Sequence, residues 1–255
     1  MDLTDTHSHL YLPQFDEDRN TMIERTFQNH VSKIYLPNID SSTIKPMLQL
    51  AEAFPENIFP LMGLHPSSVK ENFREELKVV KEWLDKKIFH GIGEIGIDLY
   101  WDKNQKERQI IAFREQLTYS LKYKLPVIIH ARNSFDEIFM VLEELSDKKL
   151  SGIFHSFTGN IKQAKKAIDS GFKIGINGIV TFKNSGLSEV VKEIELENIV
   201  IETDSPYLSP VPKRGKRNES SYLIYIGEKL AEIFSTDMDT VARITSQNAK
   251  QVFNN

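Results

Sequence analysis

The chain of 255 residues contains no cysteine. That excludes disulfides, thiolate zinc sites and cysteine nucleophiles together, so any metal must be held by nitrogen and oxygen. No apolar run approaches the roughly 20 residues that a membrane-spanning helix needs. The opening "MDLTDTHSHL" carries acids and histidines where a secretory leader has basic and then apolar residues. A cytoplasmic protein with no membrane partner is expected. A basic excess is missing too, since 32 Lys and Arg face 36 Asp and Glu for a net charge of −4. Such a balance argues against nonspecific coating of nucleic acid, but leaves room for a local basic patch that handles a phosphate. No linker or low-complexity stretch interrupts the sequence, and a chain this long can bury roughly three quarters of its unfolded surface. One domain over 1–255, acting as a monomer, is the expectation.

What is present is an alternation. Eight short apolar runs recur at 3–10, 33–39, 58–66, 89–99, 125–133, 152–159, 172–182 and 198–206. Amphipathic segments separate them. Phe73, Leu77, Val80 and Leu84 fall on one helical face in 71–86, and Ile110, Phe113, Leu117 and Leu121 do so in 103–124, where Pro126 ends the pattern. Val127, Ile128 and Ile129 are apolar on both strand faces, which suits a parallel sheet covered on both sides. Eight strands alternating with helices predict a (β/α)8 TIM barrel, with a doubly wound sheet as the alternative. The stretch "GIGEIG" (91–96) fits the G-x-G-x-x-G pattern of a dinucleotide-binding turn, but "IDLYW" after it extends rather than coils. Glu94 would also push a carboxylate toward the phosphates. These glycines are better read as keeping a strand slim at a crowded centre.

The seven histidines are placed tellingly. His7 and His9 end the first strand, His65 the third, His130 the fifth and His155 the sixth. Asp204 occupies the same place on the eighth, and Glu94 comes late in the fourth. In a barrel these strand ends meet at one mouth, where active sites form. Residues two apart on a strand point the same way, so His7 and His9 can share one ion. His30 and His90 fall away from this rim. The donor set suits zinc, manganese or iron(II), and magnesium less comfortably. Six donors are too many for one catalytic ion with an open position, and they divide well between two divalent ions with Glu94 as the natural bridge. Two such ions about 3.5–4 Å apart activate water and steady an in-line displacement, so hydrolysis is the expected reaction class.

Six motifs in order, "DTHSHL", "GLHP" (63–66), "GEIGIDLYW" (93–101), "VIIHAR" (127–132), "IFHSFTG" (153–159) and "ETDSPYL" (202–208), resemble the TatD family of metal-dependent deoxyribonucleases along essentially the whole chain. The resemblance implies that His7, His9 and Asp204 hold one ion, His130 and His155 the other, and that Glu94 bridges them. It further implies that Asp204 serves as general base and that His65 stands beside the substrate phosphate or leaving group. Magnesium, manganese and zinc are the candidate ions. DNA as substrate, single-stranded or met at an end (attacked 3′ to 5′), rests on the resemblance alone. A lactonase or a D-aminoacyl-tRNA deacylase on the same barrel is the rival.

Strand parity adds Asp5, on the face of His7 and His9, and Glu202, on that of Asp204. Either orients a ligand imidazole or belongs to a polar layer inside the barrel. The segment "SPVPKRGKRNES" places Lys213, Arg214, Lys216 and Arg217 on the loop leaving the rim, as a solvated surface or as a phosphate contact. It has Ser220 where the family usually has proline. Arg132, two residues past His130, also faces the mouth. Tyr100, Trp101 and Phe157 are either base-stacking platforms or packed core.

Overall fold

In the computed structural model, which describes residues 1–100, 103–146 and 148–253, every strand but the second is shorter than its apolar run. The strands are β1 (Leu3–Asp5), β2 (Val31–Pro37), β3 (Ile58–Leu61), β4 (Ile92–Asp98), β5 (Val127–Arg132), β6 (Gly152–His155), β7 (Phe172–Ile176) and β8 (Ile199–Ile201). They pair in parallel, in sequence order, as β1–β2–β3 and β4 through β8. Two parallel bridges, Met62 to Ile92 and Ser8 to Ser205, join these ladders into a closed ring. That closure is the TIM barrel, and it rules out the open doubly wound sheet. Shortening occurs where the chain turns toward the mouth. His7 and His9 lie beyond β1, yet the bridge at Ser8 keeps that segment extended, so the two rings still share a side. His65 lies beyond β3, at the start of a single 3-10 turn.

Nine α-helices occur among the described residues. Of these, α1 (Arg19–Gln28), α2 (Ile44–Ala53), α3 (Phe73–Leu84), α4 (Lys106–Tyr123), α5 (Phe135–Glu143), α6 (Ile161–Asp169), α7 (Leu187–Lys192) and α8 (Leu223–Phe234) follow successive strands, and α9 (Met238–Phe253) is additional. Helix α3 buries the four residues its periodicity nominates. Helix α4 buries Ile110, Phe113 and Leu117, leaves Leu121 half-buried, and also buries Gln109 and Gln116. The barrel interior is plugged by Tyr35, Leu61, Ile128, Ile153 and Val200. Helix α9 closes the floor, with Phe253 stacked 3.6 Å from Tyr35. Each such side chain contributes roughly 1.5–3 kcal/mol on burial.

The glycines of β4 answer to space. A β-carbon on Gly96, at φ +144°, would lie 2.0 Å from the His130 carbonyl oxygen. One on Gly93 would lie 2.8 Å from Ile128 Cβ. Strands β4 and β5 approach closely enough to hold Glu94 against His130 only because these positions lack side chains.

Candidate metal centre

The expected donors converge above the plug. Glu94 is 2 % exposed and its ionic partners are five imidazoles, divided between its two oxygens. Oε2 lies 3.1 Å from His7 Nε2 and 3.6 Å from His9 Nε2. Oε1 lies 2.7 Å from His130 Nδ1, 3.3 Å from His65 Nε2 and 3.6 Å from His155 Nε2. Asp204 Oδ1 stands 3.8–3.9 Å from Nε2 of His7, His9 and His155.

Three compact donor groups result: His7, His9 and Glu94; His7, His155 and Asp204; and His65, Glu94 and His130. The structure thus gathers all seven residues, but joins His155 to His7 and Asp204, whereas the resemblance pairs His155 with His130. The reason lies behind the rings. His155 stacks on His7 at 3.3 Å, and Glu202 Oε1 sits 2.9 Å from its Nδ1, which turns Nε2 toward Asp204. His130 gives Nε2 to Asp98 Oδ2 at 2.9 Å, leaving Nδ1 for Glu94.

His65 differs from the others. Its Nδ1 accepts the Ser67 backbone N–H at 3.0 Å and meets Ser67 Oγ at 2.6 Å. A ring nitrogen that accepts an N–H carries no proton, so the neutral ring keeps its proton on Nε2, the atom facing Glu94. Burial lowers the His65 pKa against the pull of Glu94, which favours that neutral ring. His65 is therefore built to donate a hydrogen bond from Nε2.

The electrostatics call for positive charge. Burial alone would raise the Glu94 pKa, but the imidazoles around it hold it well below the usual carboxylate range. Burial opposes protonation of His130 and His155, yet Asp98 and Glu94 push the first up to about 9, and Glu202, Glu94 and Asp204 push the second up to about 10. Without a metal, the carboxylates draw protons onto neighbouring imidazoles. His7, by contrast, is held well below its ordinary pKa, first by burial and then by His155, so its ring is neutral. Its Nδ1 is buried without a hydrogen-bond partner among the described residues, and only Nε2 faces donors. A divalent cation among these oxygens and ring nitrogens meets the same demand, and the donor types fit one.

Side chains behind the rings complete the arrangement. Glu202 lies behind His155 in ionic contact with its ring, one of the two places parity allows it, and accepts from Ser156 N–H at 2.5 Å. Asp5 touches no imidazole. Its oxygens accept from Thr203 N and Oγ1, Ser220 Oγ and the His7 backbone N–H, so it anchors the main chain beneath the ligands. Ser220, in the family's proline position, supplies one of those donors. Asp98 and Tyr11 were not anticipated, although the same parity contains them. Asp98 lies four residues past Glu94 on β4, and Tyr11, two past His9, has its hydroxyl 2.9 Å from His9 Nδ1. Helix α4 secures two of the loops. Gln109 pairs with both main-chain groups of Asp98 at 2.7 and 3.2 Å, and Gln116 does the same for Leu64, beside His65.

The mouth is a cleft of about 400 Å³ lined by His9, Ile39, His65, Ser67, Glu94, Asp98, His130, Arg132, His155, Asp204, Tyr207 and Leu208. Arg132 is in it, its guanidinium over the Tyr100 ring at 3.9 Å. Arg214 and Arg217 are not among the lining residues. Arg214 lies over Phe182, and Arg217 forms a paired contact with Asp18 at 2.7 and 2.8 Å, above Phe15. The phosphate reading of Arg217 is corrected accordingly, because its donors are spent on Asp18. Phe157 is buried at 2 % exposure, which removes it as a stacking platform. Tyr100 is 53 % exposed, and Trp101 lies outside the described residues.

A parallel barrel whose strand ends gather imidazoles and carboxylates about one shared carboxylate defines the class of metal-dependent hydrolases. The chain belongs to the TatD-related DNase family, whose profile matches residues 4–254. It is 37% identical over 252 residues to the metal-dependent hydrolase YabD of Bacillus subtilis, covering 98% of each chain. It is 30% identical over 253 residues to the metal-dependent hydrolase YjjV of Escherichia coli K12, covering 98% and 97%. The crystal structure of YjjV, a TatD homolog, superposes with a TM-score of 0.93 at 29% identity over 99% and 98% of the two chains. No helix among the described residues is long and apolar enough to cross a membrane.

Proposed function

We propose that this metal-dependent hydrolase cleaves phosphodiester bonds at DNA strand ends, using a centre that holds two divalent cations. The observation that carries the reading is the division of Glu94, one oxygen toward His7 and His9 and the other toward His130, His65 and His155. That is the arrangement a carboxylate shared by two ions requires. Membership of a family described as TatD-related DNases supports DNA as substrate. Arg132 in the cleft supports an anionic group there.

Two divalent ions, when bound, supply acidified water and offset the charge that develops on the phosphate oxygens. The chain's own residues do the rest. His7, His9, His130, His155, Glu94 and Asp204 would hold the ions. Burial lifts Asp204 against the pull of His155 and His9, to a pKa of about 6. Its carboxylate at the centre is placed to accept a proton from the attacking water. His65 Nε2–H donates to the leaving oxygen. Arg132, steadied on Tyr100, pairs with a non-bridging phosphate oxygen.

The test strips the protein with chelator and reloads it with magnesium, manganese or zinc. Each form receives 3′-labelled and 5′-labelled single-stranded oligonucleotides, with Glu94→Gln as control. Metal-dependent shortening that the control lacks is expected, and the two labels report which end is attacked. Protein that binds metal but shortens no strand overturns the proposal, and cleavage of the ester in D-aminoacyl-tRNA by that same protein would replace it with ester hydrolysis.

A further inference from the structure

We infer that Tyr207, with Leu208 and Ile39, forms a subsite for the planar base of the nucleotide whose phosphate lies over the metal centre. The inference rests on the phosphodiesterase reading of that centre and deepens it. Tyr207 is 50% exposed although it lines the cleft, and its ring stands 6.5 Å from that of His9. An aromatic face open to solvent beside a polar cleft is available to stack on a planar ligand group.

The loop presenting it is fixed in advance. Tyr207 N–H donates to Asp204 O at 2.9 Å, and the buried Asn218 donates from Nδ2 to Tyr207 O at 2.6 Å and to Thr203 O at 2.8 Å. Gly178 packs so tightly beneath this loop that a β-carbon there would lie 2.2 Å from Leu208 O. Little ordering entropy is then lost when a ligand lies against the ring.

The lining of the cleft selects the ligand. Tyr207 stands at the His9 end of the donor cluster. Arg132, paired in register with Asp98 across β4 and β5, lines the same cleft with its guanidinium over the Tyr100 ring. A ligand in the cleft therefore finds both a cation, Arg132, and apolar surface from Tyr207, Leu208 and Ile39. A nucleotide, which joins an anionic group to a planar ring through a sugar, can use both. A lactone or a fatty acyl chain has no aromatic face to stack on Tyr207.

Stacking of one base on one aromatic ring corresponds to about 5- to 150-fold in affinity. The experiment titrates the metal-loaded protein calorimetrically with thymidine 5′-monophosphate and, separately, with 2-deoxyribose 5-phosphate, which lacks only the base. The wild type is expected to favour the nucleotide by a factor in that range. Tyr207→Phe keeps the preference, and Tyr207→Ala brings the ratio to about one while leaving the sugar phosphate's affinity unchanged, which also shows that the variant is folded. Equal affinities in the wild type, no binding of either compound, or a preference that survives Tyr207→Ala would overturn the subsite. Because the readout is binding, a failure of strand cleavage with the preference intact would fall on the phosphodiesterase reading instead.

Discussion

Replacing Gln109 by leucine nearly preserves side-chain volume and removes only the amide. Gln109 is 3% exposed, and its amide is the hydrogen-bond partner of Asp98 N–H at 2.7 Å and of Asp98 C=O at 3.2 Å. Each buried main-chain group left unpaired costs about 1–3 kcal/mol. The added apolar burial of leucine returns roughly 1–2 kcal/mol, for a net loss of about 2–3 kcal/mol at the middle of these ranges. A second effect follows at the metal centre. Once Asp98 is no longer fixed, its grip on His130 Nε2 loosens, and loss of a partner behind a ligand imidazole typically weakens metal binding 10–100-fold. Urea unfolding of the apo protein, compared at constant slope, reads the first effect. Titration with manganese reads the second. A variant within about 0.5 kcal/mol of wild type and with unaltered metal affinity would refute the claim that α4 positions the site.

Gly96→Ala is expected to lower stability by about 2–6 kcal/mol, combining backbone strain at positive φ with overpacking against His130, which a thermal melt of the apo protein would show. Glu202→Gln removes the negative charge behind His155 and is expected to weaken metal binding 10–100-fold, read by isothermal titration against wild type. Acid sensitivity should arise partly at Glu219. Burial alone would raise its pKa, but hydrogen bonds from Arg25 and Ser221 and the charge of Arg217 hold it below the ordinary value. Its stabilisation is thus present above the unfolded pKa of about 4.3 and is lost as pH falls through the lower folded value. Glu219→Gln should lower stability at pH 7 and flatten the decline between about pH 5 and 3 in unfolding free energy; an unchanged acid limb would contradict this.

The barrel was legible because its signal is repeated: Val127-Ile128-Ile129 and its counterparts mark strands buried on both faces, and α3 buries its nominated face in full. The candidate donors could be nominated too, because histidines and carboxylates recur at successive strand ends and converge in the structure. What escaped notice depends on contacts distant in sequence. Arg217 belongs to a basic run, and nothing local reveals that Asp18, 199 positions away, takes its guanidinium. Asp5 and Glu202 look equivalent by parity, yet only Glu202 meets an imidazole, because Ser220 and Thr203 reach Asp5 first. Gln109 and Gln116 sit where an apolar period would place leucine, and their value emerges only when the loops at Asp98 and Leu64 pack onto α4. Asp98 was within reach, since it shares a strand face with Glu94.

The central claim is that Glu94 joins two cation sites. Electron paramagnetic resonance of the protein loaded with manganese tests it most directly. The account predicts two ions per chain and the multiline signal of an exchange-coupled pair, replaced in Glu94→Gln by an uncoupled signal or none. A single uncoupled ion in the wild type at saturation would contradict it.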